Sequence, residues 1–255
     1  MSARPWVLAE CTWESVRTQA YEVAVLPWGA TEAHNRHLPY ATDTIQAEHV
    51  AAAGAAHAWA KGARVLVLPA LPFGVQTMQR ELPFCINMNP ATQAAVLRDV
   101  MQSVAAHGVH KLVILNGHGG NDFKQIIREL QPDSGLLLAQ VNWWLLGQPK
   151  THFVEPGDHA GELETSAMLH VAPDITRPVG DAGPGRAHAS KVRGFREGWA
   201  WTPRHWVQIT DDTGVGDPAQ ATAAKGEAYL AAVSVQLGEF LVELADADPA
   251  KLYEP

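Results

Sequence analysis

The sequence predicts an α/β protein, a single domain spanning residues 1–255 with a mostly parallel central sheet and helices on both faces. Three observations carry this reading. Short runs rich in β-branched residues alternate with longer helical stretches, the pattern of a buried parallel sheet. The 255 residues are 47% hydrophobic and 18% charged, enough apolar surface for one sizeable core. No internal repeat and no interdomain linker divides the chain.

The elements follow in order. Glu22–Pro27 (EVAVLP) reads as a buried strand ending at Trp28-Gly29. Thr42-Asp43 opens an Ala-rich helix that stops near Gly62, and Arg64–Leu68 (RVLVL) is the next strand. After a long loop over 70–89, Pro90–Ala106 reads as a helix with apolar positions Ala91, Ala95, Val96 and Val100. Asn89 is its expected N-cap and Pro90 its first residue. Lys111–Leu115 (KLVIL) is a strand, Asp122–Leu130 a helix and Gly135–Asn142 (GLLLAQVN) a strand. A helix near Gly161–Leu169 precedes an irregular stretch over 172–204; His205–Thr210 reads as a strand, and a helix from Pro218 to near Leu244 closes the chain. The loops over 70–89 and 172–204 exceed ordinary connection lengths, which points to functional or interfacial roles.

Charge and cysteine usage narrow the function. Lys and Arg number 19 against 27 Asp and Glu, a net charge of −8, and the densest basic stretch holds only Lys191, Arg193 and Arg196. Nucleic-acid binding, which rests on clustered cations, is disfavoured. Cys11 and Cys85 form neither a CxxC metal site nor a disulfide framework. The first residues have no apolar stretch of signal-peptide length, and no uninterrupted run of 18 apolar residues marks a membrane span. A cytoplasmic protein without nucleic-acid or membrane partners is the expectation.

Three clusters carry candidate chemistry. The first, Gly29–Asp43, follows the first strand, at the sheet edge where ligands collect. Glu32 and His34 are two apart, so in an extended segment they share a face and can reach one metal centre. Asp43 opens the following helix; it suits a helix cap as well as a carboxylate that bridges two cations through its two oxygens. The second cluster, Asn116-Gly-His118-Gly-Gly-Asn121, follows KLVIL, and its glycines let backbone approach a ligand closely. It is no phosphate loop, because GxxxxGK[ST] is absent. The third, His159-Ala-Gly-Glu162-Leu-Glu164-Thr-Ser166, stands at a helix start, where its carboxylates equally suit the helix dipole. Imidazole and carboxylate ligands together suit zinc, manganese or iron. GxSxG, HExxH and a strand-linked GxGxxG are all absent. Trp143-Trp144 follow the fourth strand and are candidates to line a pocket.

Taken in this order, Glu-x-His…His-Leu-Pro…Thr-Asp, Asn-Gly-His-Gly-Gly-Asn and His-Ala-Gly-Glu-x-Glu-Thr-Ser resemble the creatininase family of creatinine amidohydrolase-like metalloproteins, between residues 22 and 170. The resemblance implies a three-layer α/β/α fold, a homohexamer and two divalent ions per chain, zinc first, with manganese or iron as alternatives. It implies Glu32 and His118 on one metal, His34 and Glu164 on the other, and Asp43 bridging. His159 would protonate the leaving nitrogen, and Glu162 would orient a ligand from behind.

Four positions depart, two from the family's common pattern and two from creatininases proper. Asn35-Arg36 replaces Gly-Pro between the paired histidines, Gly120 replaces a glutamate ligand, and Glu155 replaces a tryptophan. They point away from creatinine itself, and Arg36 offers a cation for an anionic substrate. The expected function is metal-dependent hydrolysis of a C–N bond in a small amide, linear or cyclic, by a metal-activated water. A metal-dependent isomerase or lyase on a small carbohydrate-like molecule is the alternative, and a catalytically silent member kept for assembly is a third. The Trp- and Arg-rich stretch around Trp199, Trp201 and Trp206 is the expected subunit contact or a flap over the site.

Overall fold

The computed structural model describes residues 3–254. β1 (Val23–Trp28), β2 (Val65–Val67), β3 (Lys111–Asn116) and β4 (Leu137–Asn142) form one all-parallel sheet in the order β2-β1-β3-β4. β1 and β3 lie at the centre, and Ala24 pairs with Leu112 while Trp28 pairs with Asn116. Their carboxyl ends therefore open side by side, and the first and second clusters meet there.

Side chains alternate across the strands and divide the core in two. Val23, Val25, Val65, Val67, Val113 and Leu115 face helices α2 (Thr42–Ala60), α5 (Glu162–Val171) and α8 (Ala223–Asp246). Ala24, Leu26, Trp28, Leu112, Ile114 and Leu138 face α3 (Pro90–Ala105) and α4 (Lys124–Leu130). The result is the expected α/β/α layering. α1 (Trp13–Val16), α6 (Arg193–Arg196) and α7 (Trp206–Ile209) are single turns. α8 is long and apolar enough to cross a membrane by composition, yet Leu230, Val233, Leu237, Leu241 and Leu244 are buried against the layer of α2 and α5. It is a core helix.

Some expected boundaries move, and one element changes type. α8 begins at Ala223 rather than Pro218, because the Thr222 hydroxyl caps it by accepting from Lys225 N–H. Asn89 takes the N-cap position of α3, but its side chain accepts from Asn87 instead of capping. His205–Thr210 is the helical turn α7 and not a strand. Gln208 N–H and Thr210 N–H close the turn on His205 O and Trp206 O, and burial of the Trp206 ring fixes it. Periodicity alone does not separate a strand from a helical turn in so short an apolar run. Isolated bridges tie the 70–89 loop to the end of β1 and the segment after it at Trp28–Leu71 and Thr31–Ile86, and Gly74–Asn87 closes the loop on itself.

Candidate metal centre

Each cluster is shaped by local backbone chemistry. After β1 the chain runs extended through Glu32 and His34, then turns back on itself, with His34 and Leu38 forming an antiparallel bridge. Asn35 sits in that turn with φ 53°, a left-handed conformation that favours glycine and next tolerates asparagine. This accounts for Asn where the family pattern has Gly. The Asn35 side chain also clasps Gly183, donating to its O and accepting from its N–H. Asp43 is the second residue of α2, and the N-cap position belongs to Ala41, which makes no side-chain cap. The Asp43 carboxylate is thus free of capping duty and turns to the histidines.

After β3, the Asn116 side chain folds the glycine loop by accepting from His118 N–H and donating to His118 O. A Cβ on Gly117 would stand 2.6 Å from Asp43 O, so only glycine lets this loop lie against the start of α2. A Cβ on Gly120 would stand 2.3 Å from both His118 Nε2 and Val75 O. A glutamate at Gly120 is therefore incompatible with the contact that holds His118. In the third cluster His159 pairs with Val215 through two backbone hydrogen bonds, and Glu164 Oε2 accepts from Ala160 N–H at 2.6 Å.

The clusters converge on one point. Asp43 Oδ1 lies 2.9 Å from His34 Nε2, and Asp43 Oδ2 lies 3.0 Å from His118 Nδ1. Glu32 Oε1 is 2.9 Å from His118 Nδ1, 3.7 Å from His34 Nε2 and 3.8 Å from His159 Nδ1. Ligand atoms of Glu32, Asp43 and His118 fall within 4.8 Å of one another, as do those of His34, Asp43 and Glu164, and those of Glu32, His34 and His159. Asp43 belongs to two of these sets, one oxygen toward each imidazole.

All three histidines are anchored by a backbone carbonyl on the far side. His34 Nδ1 donates to Glu32 O at 3.1 Å, His118 Nε2 to Val75 O at 3.0 Å and His159 Nε2 to Ala33 O at 2.7 Å. A carbonyl only accepts, so that nitrogen carries the hydrogen, and the other presents a lone pair when the ring is neutral. Those lone pairs point at carboxylate oxygens. Such an arrangement needs a cation between the partners, a proton or a metal. Asp43 Oδ2, buried and without a hydrogen bond, marks the same requirement. The donor set fits divalent ions.

Electrostatics agree. Burial pushes His34 down, but Asp43, Glu32 and Glu164 outweigh it and raise its pKa to about 10. The same opposition leaves His118 well above its ordinary value and Glu32 well below. Burial raises Glu164 to about 7, against the pull of His34. His159 moves the other way, lowered by burial and by His34, whose ring it stacks on at 4.1 Å between centroids.

Five expected ligands, Glu32, His34, Asp43, His118 and Glu164, come together, and His159 joins them. Glu162 does not. It is buried, its Oε2 accepts from Val154 and Glu155 N–H, and its Oε1 pairs with Lys225 at 2.5 Å. Arg36 is exposed and absent from the cleft wall, where Arg204 stands instead. Trp143 packs in the core near Tyr229, and neither Trp143 nor Trp144 lines the cleft. Trp206 does, while Trp199 and Trp201 are exposed. Sequence reasoning missed Gln79, whose Nε2 donates to Glu32 Oε2 at 2.5 Å while its Oε1 accepts from the Cys85 thiol. The unusual length of the 70–89 loop was the available signal for it.

Comparison with known proteins shows the family and the fold. The creatinine amidohydrolase family model covers residues 9–241. A solved Bacteroides fragilis structure, provisionally described as a creatinine amidohydrolase, is 42% identical with TM-score 0.92 and covers 100% of both chains. A Mycobacterium tuberculosis mycofactocin precursor peptide peptidase is 32% identical over 220 residues, covering 82% of this chain and 80% of the relative. A creatininase variant described as the Zn–Zn type shares the fold at TM-score 0.79 and 21% identity, over 96% of this chain and 100% of its own. The chain belongs to the creatininase family.

Proposed function

We propose that this protein is a divalent-metal-dependent amidohydrolase that cleaves the C–N bond of a small amide. The observation that carries the proposal is Asp43, which offers one oxygen to each of two imidazole-carboxylate sets. Glu32 and His118 would hold one ion and His34 and Glu164 the other, with Asp43 between them. Zinc is the first candidate, with manganese or iron as alternatives. Bound there, two such ions supply an acidified water and a Lewis acid for the carbonyl oxygen.

The chain's own residues do the rest. His159, tied at Nε2 to Ala33 O, keeps Nδ1 turned to the centre, where it takes the water's proton and delivers it to the leaving nitrogen. Glu162 serves as a positioning residue. Its ties to residues 154–155 and to Lys225 of α8 fix the start of α5, which presents Glu164.

A short peptide is the second substrate class, favoured by the 32% identity to a relative named for peptide cleavage. By family resemblance the proposal extends to a homohexamer, with exposed Trp199 and Trp201 as contact residues; light scattering tests it, and a monomeric mass refutes it. The function is tested by stripping the protein with a chelator, reloading it with zinc or manganese, and assaying N-acyl amides, lactams, short peptides and keto sugars. Metal-dependent amine release is expected. Rates unchanged by stripping, or turnover of keto sugars alone, would refute it.

A further inference from the structure

The cleft wall carries one strong cation. Among the described residues that line it, Arg204 is the sole arginine or lysine, set among Glu32, Asp43, Asp158 and Glu164. A bound divalent ion would repel a guanidinium, so the metal itself does not account for an arginine at this place. Its neighbours set its place. Its carbon lies 4.6 Å from the centroid of the Trp206 ring, Trp206 is buried, and that ring meets His159 edge-on at 5.1 Å. The next residue, His205, pairs with Glu81 at 3.2 Å and pins the same segment to the 70–89 loop. Of the five guanidinium N–H groups, Nη1 is engaged with Asp158, and the fork keeps donors for a further partner.

The position of this cation says which half of a substrate it meets. It reaches the centre by way of Trp206 and His159, the side on which the leaving nitrogen receives its proton. We propose that Arg204 receives a carboxylate on the amine half of the substrate, making N-acyl amino acids the substrate class; the C-terminal residue of a short peptide presents the same chemistry. This rests on the amidohydrolase reading of the same site. Hydrolysis adds the hydroxyl of water to the acyl carbon, breaks the C–N bond and places a proton on nitrogen, releasing a carboxylic acid and an amino acid. Asp158 competes for the guanidinium that the substrate carboxylate uses.

The rival is a latch, an Arg204–Asp158 pair that merely ties two loops. The two readings predict different signs. Zinc-loaded full-length protein is titrated by calorimetry with N-acetyl amino acids and their N-methylamides, and with Gly-Gly-Xaa tripeptides and their amides. Free carboxylates should bind about ten-fold more tightly than capped partners, the scale of a part-exposed charge-assisted contact. Arg204→Gln should erase that preference, Arg204→Lys should keep part of it, and Asp158→Asn should strengthen carboxylate binding. Melting temperatures confirm that each variant folds. Preference surviving in Arg204→Gln, no carboxylate bound at millimolar concentration, or Arg204→Gln and Asp158→Asn weakening binding alike would overturn the proposal. Carboxylates bound through Arg204 without hydrolysis of any amide would leave the receptor standing and sink the hydrolase reading. Whether acetyl amino acids or tripeptides bind better identifies the source of the carboxylate.

Discussion

Replacing Asp43 by alanine tests the centre most directly. Each Asp43 oxygen belongs to a different three-residue set, so the substitution reduces both sets from three ligand residues to two. Three protein ligands are the usual minimum of a catalytic zinc site. Loss of an outer-shell partner alone weakens metal binding by about 10–100-fold, so loss of a direct ligand should cost at least about 100-fold at each set, close to 2.7 kcal/mol. Glu164→Gln, by contrast, touches one set and leaves Glu32, Asp43 and His118 whole. Elemental analysis after dialysis against buffered zinc, with a chelator competition for affinity, should give about two ions per wild-type chain, near one for Glu164→Gln and close to none for Asp43→Ala. Wild-type content in Asp43→Ala, or the same loss in both variants, would refute the bridging geometry.

Other substitutions separate roles. His159→Gln should lower kcat by about 10²–10⁴-fold with metal content unchanged, since its task is proton transfer; lost metal would make it a ligand instead. Gln79→Leu should weaken zinc binding by about 10–100-fold through Glu32, read by chelator competition, and unchanged affinity would deny Gln79 that support. His37 is buried and lowered to about 4 by burial and then by His34, so the folded protein resists the proton that the unfolded chain accepts below about 6.5. Its contribution costs stability as pH falls from 6.5 to 4, by about 2–3 kcal/mol. Urea titration of metal-free protein at pH 7 and 4.5 should show a smaller acid loss in His37→Gln than in wild type, a comparison that removes the opposing effect of Glu164; equal losses would refute it. Leu237→Ala, fully buried in α8, should cost about 2–5 kcal/mol in the same assay, and a loss under 1 would contradict the core assignment.

The sequence alone was enough for the layered fold and for the kinds of side chain that meet at the end of the sheet, because both rest on local signals. Alternating β-branched strands and Ala-rich helices state a parallel sheet, and Glu-x-His, Gly-His-Gly-Gly and His-x-x-Glu-x-Glu state their chemistry at short spacing. Register placed two of those clusters together, since β1 and β3 are neighbours whose carboxyl ends open on one edge. What the sequence left open was direction. Whether Asp43 caps a helix or faces two histidines, whether Glu162 turns inward or to Lys225, and whether Arg36 or Arg204 borders the cleft depend on where each side chain points after packing. Those directions come from contacts far apart in the chain: Gly117 letting its loop touch Asp43, Gln79 reaching Glu32 across 47 residues, and Trp206 burying itself beside His159. The strand expected at His205–Thr210 failed for the same reason, because the burial of one ring, and no local preference, made it a helical turn.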